Sequence, residues 1–429
     1  MTAREAALKA LYSIDADGAY INAALSAAQD SDKFSVSDRA LITELIYGVV
    51  SERTAEDYII SRFSKVKIKK MTPWILNILR MGIYQIYFMD RIPQSAACNE
   101  AVKLAKRYSH RAGAGFVNGV LRSAARAADG FEFPKTGDVV KDLSLEYSYP
   151  EWITKRLVGQ YGAEKCEALY AENRRPHPPS IRVNTLKTDV DTLAELLAGE
   201  GIVCEKIGGL ENCLKIKGGI DIKRSKAYND GLYSLQNISS QLAVKALDPK
   251  RGETVIDMCA APGGKSCAAA ERMENCGKIL SFDIYEHKTE LIAKSANRLG
   301  IDIIQTKTAD SAEYDSSLFE SADRVLADVP CSGLGVIHKK PDIKYSRREK
   351  DILSLTEIQA KILNNAARYV KKGGVLVYST CTILAEENGG QIQRFLTENT
   401  NFEIEYEKQI LTGADGESGF YICRMAKNS

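Results

Sequence analysis

One stretch of thirteen residues, Thr254 to Ser266 (TVIDMCAAPGGKS), limits what this chain can fold into more than any other. Its β-branched run closes on Asp257, small residues make a turn, and an alanine-rich helix is expected to begin near Ser266. That order is the first half of a nucleotide-binding βα unit. A phosphate-cradling P-loop is excluded, because the glycine it needs five positions before Gly264 is Cys259 and because Pro262 withholds a backbone N–H. A dinucleotide fingerprint is excluded too, since only Gly263 and Gly264 stand where three spaced glycines are required. The turn suits a ligand with ribose and adenine but no phosphate. S-adenosylmethionine is therefore the expected cofactor, cradled by Cys259, Ala260, Ala261, Pro262, Gly263, Gly264 and Lys265. A bulky side chain at Gly263 is expected to block it and leave the fold intact.

Further strands are expected at Lys278–Asp283, Ile303–Lys307, Arg324–Asp328 and Val375–Ser379, separated by helix-length segments in a doubly wound α/β pattern. Asp283 closes the second strand 26 positions after Asp257, where a carboxylate can accept from both ribose hydroxyls. Asp310 follows the third, where it can accept from the adenine amino group. Alone, either reads as well as a helix cap; at consecutive strand ends beside the glycine turn, both read as cofactor ligands. Just past the fourth and fifth strands stand Cys331, in Asp328-Val329-Pro330-Cys331, and Cys381, in Ser379-Thr380-Cys381. Buried cysteines are ordinarily inert small hydrophobes. Two of them at neighbouring strand ends, one three residues after a carboxylate, point instead to covalent catalysis. Methylation of cytosine at carbon-5 needs this set. A thiolate adds at carbon-6 and makes carbon-5 nucleophilic, a carboxylic acid, here Asp328, stabilises charge developing at ring nitrogen 3, and a second thiol serves as base or aids release. A base embedded in a duplex would also be flipped out. The chemistry alone leaves open which thiol attacks.

At 429 residues the chain is expected to form two or three domains. Its 58 basic and 56 acidic residues nearly cancel, so a nucleic-acid surface has to come from local clusters. Five helices are expected in the first ~130 residues: one opened by Thr2 and Glu5, one capped by Ser37, one begun by Pro73, and two over Ser95–Tyr108 and Gly113–Ala128. Lys65, Lys67, Lys69 and Lys70, and Lys103, Lys106, Arg107 and Arg111 beside Tyr108, offer basic clusters that can follow a phosphate backbone or simply face solvent. Pro134, Thr136 and Gly137 mark a linker. Helices over Glu151–Tyr161, Ala163–Asn173 and Val190–Ala198, with strands at Ile181–Asn184 and Cys213–Lys217, form a small α+β module. Its Arg174, Arg175, Arg182, Lys223, Arg224 and Lys226 are a second candidate RNA surface. His177, among prolines, is expected to be structural. Ten scattered cysteines without a C-x-x-C pair indicate neither zinc nor a disulfide framework, and a reducing cytoplasm suits them. No run approaches the ~20 apolar residues of a membrane span.

Residues Asn99–Lys106 (NEAVKLAK) and Phe116–Arg122 (FVNGVLR) resemble the NusB-like helical RNA-binding domain. Cys259–Lys265, Asp283, Asp310, Asp328–Gly335 with Pro341–Lys344, and Ser379–Cys381 with Glu386–Asn388 resemble the RNA cytosine-5 methyltransferase family of Sun/Fmu type, above all its bacterial 16S rRNA members. This resemblance implies a multidomain protein: an all-α NusB-like domain over 1–130, a linker over 131–142, a small α+β RNA-binding module over 143–232, and a Rossmann-like class I methyltransferase domain over 233–429. It implies Cys381 as nucleophile, Cys331 as the aid to product release, and 16S rRNA, naked or in an assembling small subunit, as partner. A cytoplasmic monomer without metal is expected. Ala385 replaces the usual proline before Glu-Glu-Asn, Tyr345 the frequent tryptophan and Cys267 a commoner threonine, differences that bear on local loop shape. Two other readings are a methyltransferase of tRNA or another RNA, and a non-catalytic RNA-binding assembly factor; intact Cys381, Cys331, Asp328 and glycine turn speak against the second.

Overall fold

The computed structural model describes residues 1–31, 33–218, 222, 224–413 and 417–428. By packing, Met1–Ala171 with Ile337–Glu349 form one unit, and Glu172–Val336 with Lys350–Ser429 a second.

In the first unit, helices Ala3–Ala16, Ile21–Gln29, Val36–Ser51, Arg53–Phe63, Pro73–Tyr87, Gln94–Tyr108 and Arg111–Arg126 enclose one apolar core. Thr2 caps the first as expected, its hydroxyl accepting from the Glu5 amide. The third is capped by Ser35 in a reciprocal capping box with Asp38, two positions before the expected Ser37. Thr72 caps the fifth and Pro73 opens it, where its missing N–H leaves no unpaired donor. Two helices were not anticipated. Ile21–Gln29 lacks a side-chain cap, and Arg53–Phe63 is set off from its predecessor by Glu52 alone.

The expected linker is partly structured. Phe131 meets Tyr87 and Phe133 edge-on, and Asp138 caps a helix over Val139–Glu146. Helices Glu151–Tyr161 and Ala163–Asn173 keep their expected bounds, but to residue 171 they pack with the first unit rather than with a module beginning at 143. Ser148 shows why: its hydroxyl accepts from the Thr54 and Ala55 amides. The segment 337–349 joins the same unit, with buried Lys344 donating to the Ser51 and Ser148 carbonyls at 2.6 and 2.8 Å.

The second unit holds two sheets. The smaller is antiparallel, with β1 (Ser180–Val183), β2 (Val203–Lys206), β3 (Cys213–Lys217) and β4 (Tyr233–Leu235) in the order β2-β3-β1-β4. Helix Val190–Gly199 covers it, its apolar side meeting Ile181, Val183, Leu214 and Ile216. The larger has β5 (Thr254–Asp257), β6 (Lys278–Asp283), β7 (Ile304–Thr308), β8 (Ala322–Asp328), β9 (Val370–Thr380), β10 (Phe402–Ile410) and β11 (Phe420–Lys427), in the order β10-β11-β9-β8-β5-β6-β7. β5 to β9 are parallel, and the unanticipated β10 and β11 add an antiparallel edge. Helices Asp351–Tyr369 and Gly389–Glu398 bury one face, and helices Ile238–Leu247, Gly264–Arg272 and Glu286–Leu299 the other. The strand order reverses beside β5, which places a ligand crevice at the carboxyl ends of β5 and β8. Among the described residues no helix is long and apolar enough to cross a membrane.

Candidate active site

β8 and β9 pair in a register that sets Asp328 opposite Ser379. The chain therefore leaves both strands at one edge, and Cys331 and Cys381 meet with their sulfurs 3.1 Å apart. Cys331 is buried, whereas Cys381 is partly exposed. The hydrogen bond to Cys381, then burial, then the negative charges of Cys381, Glu387 and Asp328 push the Cys331 thiol well above its ordinary range, which keeps the proton on Cys331.

Asp328 is gripped from two sides, by Lys265 Nζ at 2.6 Å and by the Ser379 hydroxyl at 2.7 Å. Lys265 lies in the first turn of helix Gly264–Arg272, so the glycine turn and this carboxylate are fixed together. Burial opposes charge on Lys265, but Asp328 and Asp257 more than offset it and its pKa rises. Asp257 ends β5 fully enclosed; burial raises its carboxyl to about 6 despite the Ser266 hydroxyl, which donates to Oδ2 at 2.6 Å. Its Oδ1 has no hydrogen-bond partner.

The loops that carry the cysteines are laced by residues to which the sequence assigned no role. Buried Glu387 accepts from the Ser332 amide at 2.8 Å, from the Ser332 hydroxyl, and from Gln359 Nε2 at 2.9 Å. Asn388 accepts from the Thr380 hydroxyl and donates to the Thr382 carbonyl. Gly335 donates to the Cys381 carbonyl at 3.0 Å, and a Cβ there would lie 2.0 Å from the Gly419 oxygen, so only glycine fits. A motif shows that Glu-Glu-Asn recurs; it cannot show that the carboxylate turns back onto the Pro-Cys loop.

A cavity of about 200 Å³ is lined by Cys259–Pro262, Gly264 and Lys265 of the turn, with Gln236, Asp257 and Asp328. Its lysine is already paired with Asp328 and its other charges are negative, so it disfavours a phosphate and favours a cationic sulfonium. The nine-tenths buried Gln236 carries an Nε2 without a hydrogen-bond partner, a donor available to a ligand. Asp283 and Asp310 are not part of this lining. Asp283, at the end of β6, accepts from the Tyr285 amide, and exposed Asp310 follows β7 and accepts from the Ala312 amide. Gly263 corrects one expectation. It has φ +99°, and a Cβ there would come within 3.1 Å of the Ile292 backbone, so a bulky substitution strains the fold as well as the cradle.

Arg182 corrects another. It is buried, not part of an RNA surface, and makes a bidentate pair with Glu271 at 2.7 and 2.9 Å while donating to Gln236 Oε1 and the Gly264 carbonyl. Arg174, Arg175, Arg224 and Lys226 are exposed, and Lys223 lies outside the described residues. His177 Nε2 bonds the Glu172 carbonyl. In the helical unit, Lys103, Lys106 and Arg111 line a groove of about 770 Å³ with Asn118 and Arg122. Arg107 and Tyr108 are drawn away to Glu5. Lys65, Lys67 and Lys69 line a separate hollow.

Three family profiles match the chain in succession: the NusB family over residues 1–126, a ferredoxin-like domain of RsmF/B-like methyltransferases over 149–223, and 16S rRNA methyltransferase RsmB/F over 244–421. A Bacillus subtilis protein described as a probable ribosomal RNA small subunit methyltransferase B is 40% identical over 99% of this chain and 98% of its own. The crystal structure of PH0851 superposes with a TM-score of 0.85 at 28% identity, covering 98% of both chains. A methyltransferase homologue from Pyrococcus horikoshii has a TM-score of 0.60 at 29% identity, over 68% of this chain and 99% of that one. The near end-to-end match at 40% identity, with the three family profiles matched in succession along this chain, shows that it belongs to the 16S rRNA methyltransferase RsmB/F family.

Proposed function

We propose that this protein methylates carbon-5 of a cytosine in 16S rRNA, using S-adenosylmethionine and a covalent bond between Cys381 and the base. The observation that carries the reading is the pair of sulfurs 3.1 Å apart beside Asp328, with Cys381 the accessible one and Cys331 the buried one. An extruded cytosine reaches the partly exposed Cys381 more readily than the buried Cys331, and holding the proton on Cys331 leaves Cys381 the better nucleophile.

The cofactor's sulfonium supplies an electrophilic methyl group. Cys259–Lys265 of the turn would hold it, with Asp283 toward the ribose and Asp310 toward the adenine. Cys381 sulfur bonds carbon-6 of the cytosine, the carbon-5 to carbon-6 π pair shifts toward the ring's N3, N3 takes up a proton from solvent, and the Asp328 carboxylate, oriented by Lys265 and Ser379, accepts a hydrogen bond from that N3–H. Once carbon-5 carries the methyl group, its proton leaves to a base, the carbon-5 to carbon-6 double bond re-forms, and Cys381 departs with its electron pair. Cys331, in contact with the departing sulfur, returns a proton to it.

The groove of Lys103, Lys106, Arg111 and Arg122 is the RNA-reading face of the NusB-like domain, and Arg174, Arg175, Arg224 and Lys226 offer a separate basic surface in the small module. A cytoplasmic monomer acting on naked or assembling 16S rRNA completes the reading; among the described residues no disulfide joins the ten cysteines. Incubation with unmethylated 16S rRNA and S-adenosylmethionine, followed by nucleoside mass spectrometry, should yield 5-methylcytidine. Methylation of any other nucleoside, or transfer only to tRNA, overturns the proposal.

A further inference from the structure

Gln236 stands just after β4, at the junction of the small sheet and the cofactor cradle. Its backbone is fixed to β1, the amide donating to the Ser180 carbonyl and the carbonyl accepting from the Ser180 hydroxyl. Its side chain is fixed by Arg182. A guanidinium only donates, so the atom facing Arg182 Nη1, 2.5 Å away, has to be the amide oxygen, and the amide NH₂ has to face the other way. Arg182 is held in turn by Glu271, one helix turn and more beyond the glycine turn, and by the Gly264 carbonyl at 2.7 Å. The NH₂ therefore points over the turn, where an ideal Cβ on Gly264 would lie 3.5 Å from Nε2, and Gln236 lines the cavity.

Neither proton of that NH₂ has an acceptor, although the residue is more than nine-tenths buried. An unsatisfied buried donor is costly and calls for a ligand acceptor. The same cavity holds an unsatisfied acceptor, Asp257 Oδ1. A fixed donor and an orphan acceptor in one enclosure of amino-acid size match an α-amino acid zwitterion, with its carboxylate and ammonium, better than they match a ribose or a purine. Asp283 and Asp310, assigned to the ribose and adenine, do not line this cavity.

We propose that Gln236 is a cofactor-binding residue, its amide N–H donating to the carboxylate of the methionine portion, and that Arg182 of the small module is the positioning residue that fixes the amide's orientation. The inference rests on the S-adenosylmethionine reading and adds to it a contact contributed from outside the glycine turn. It also gives the small domain a part in cofactor binding.

The test compares two ligands by calorimetry on the full-length protein: S-adenosylhomocysteine, which carries the amino acid, and 5′-methylthioadenosine, which shares the thioadenosine but lacks it. For Gln236→Leu, affinity for S-adenosylhomocysteine should fall roughly 10- to 100-fold, the loss of one hydrogen bond to a charged group. Affinity for 5′-methylthioadenosine should stay within about twofold of wild type. Gln236→Glu keeps the shape but sets a carboxylate against a carboxylate, and should lose at least as much for the first ligand alone. Equal losses for both ligands would mean that Gln236 only shapes the turn, and unchanged affinity for both would mean that it does not touch the ligand; either overturns the proposal. Failure of the wild-type protein to bind either ligand would instead overturn the cofactor reading beneath it.

Discussion

Replacing Arg182 with methionine tests whether this residue belongs to the interior, where the structure puts it, or to an RNA surface, as its sequence neighbours suggest. The substitution keeps the apolar stem and removes a guanidinium that makes four hydrogen bonds, two to Glu271 and one each to Gln236 and the Gly264 carbonyl. Both partners of the ion pair are about 95% buried, so screening by solvent is slight. Removing one partner of such a pair leaves an uncompensated charge and costs about 3–5 kcal/mol. For a unit of this size that is a fall in Tm of about 6–20 °C, at roughly 2–4 °C per kcal/mol. The double variant Arg182→Met/Glu271→Met removes the stranded charge and should recover most of the loss. It should stop about 1–2 kcal/mol short, for the two acceptors left without their donor. The deficit should also depend on pH. Burial already raises the Glu271 carboxyl while Arg182 opposes it, so the variant's carboxyl rises further. A group whose folded pKa is raised favours the folded state below its unfolded value and loses that contribution as pH rises through the folded value. Arg182→Met should therefore lie closer to wild type at pH 5 than at pH 8. Melting by differential scanning calorimetry at both pH values measures all three quantities. A single variant that melts like wild type while binding RNA more weakly would refute the interior assignment.

Asp257→Asn should flatten one component of the pH dependence. With the carboxyl raised from 3.8 to about 6, the wild type should lose roughly 2.5 kcal/mol relative to the variant between pH 4 and pH 7, read from denaturant midpoints. Gly335→Ala has no room beside Gly419 and should cut soluble yield several-fold and lower Tm by several degrees, while Gly373→Ala, with open space around it, should cost only what its positive φ imposes, about 1–2 kcal/mol. Changing Lys103, Lys106 and Arg111 to glutamine should weaken RNA binding and lower the slope of log affinity against log salt by about 2–3, at 0.7–0.9 per phosphate contact. An unchanged slope would remove that groove from the RNA surface.

Much of the candidate site was legible because its signals are local. The βα turn at Asp257–Ser266 announces itself by the β-branched run before it and its small residues, and strands such as Lys278–Asp283 and Cys213–Lys217 by short apolar stretches. What escaped depends on distant partners. β10 is a polar edge, with most of its residues exposed, and has no apolar alternation strong enough to read. Arg182 looks like any strand arginine until Glu271, 89 positions away, is seen beneath it. Glu387 likewise becomes meaningful only when the Pro-Cys loop folds over it. That residues up to 171 pack with the helical unit follows from Ser148 and Lys344, whose partners come from segments far apart in the chain.

The proposed division of labour between two thiols is tested most directly by trapping. Without the Cys381 thiol no bond to carbon-6 can form, so Cys381→Ala should be inactive and free of adduct. Without Cys331, addition and methyl transfer can proceed but release stalls, so Cys331→Ala should accumulate protein joined to methylated RNA. Each variant is incubated with 16S rRNA and S-adenosylmethionine and run on a denaturing gel. A slow-migrating band with Cys331→Ala that disappears on ribonuclease treatment, and none with Cys381→Ala, is the expected result; the reverse pattern would make Cys331 the nucleophile and contradict the account.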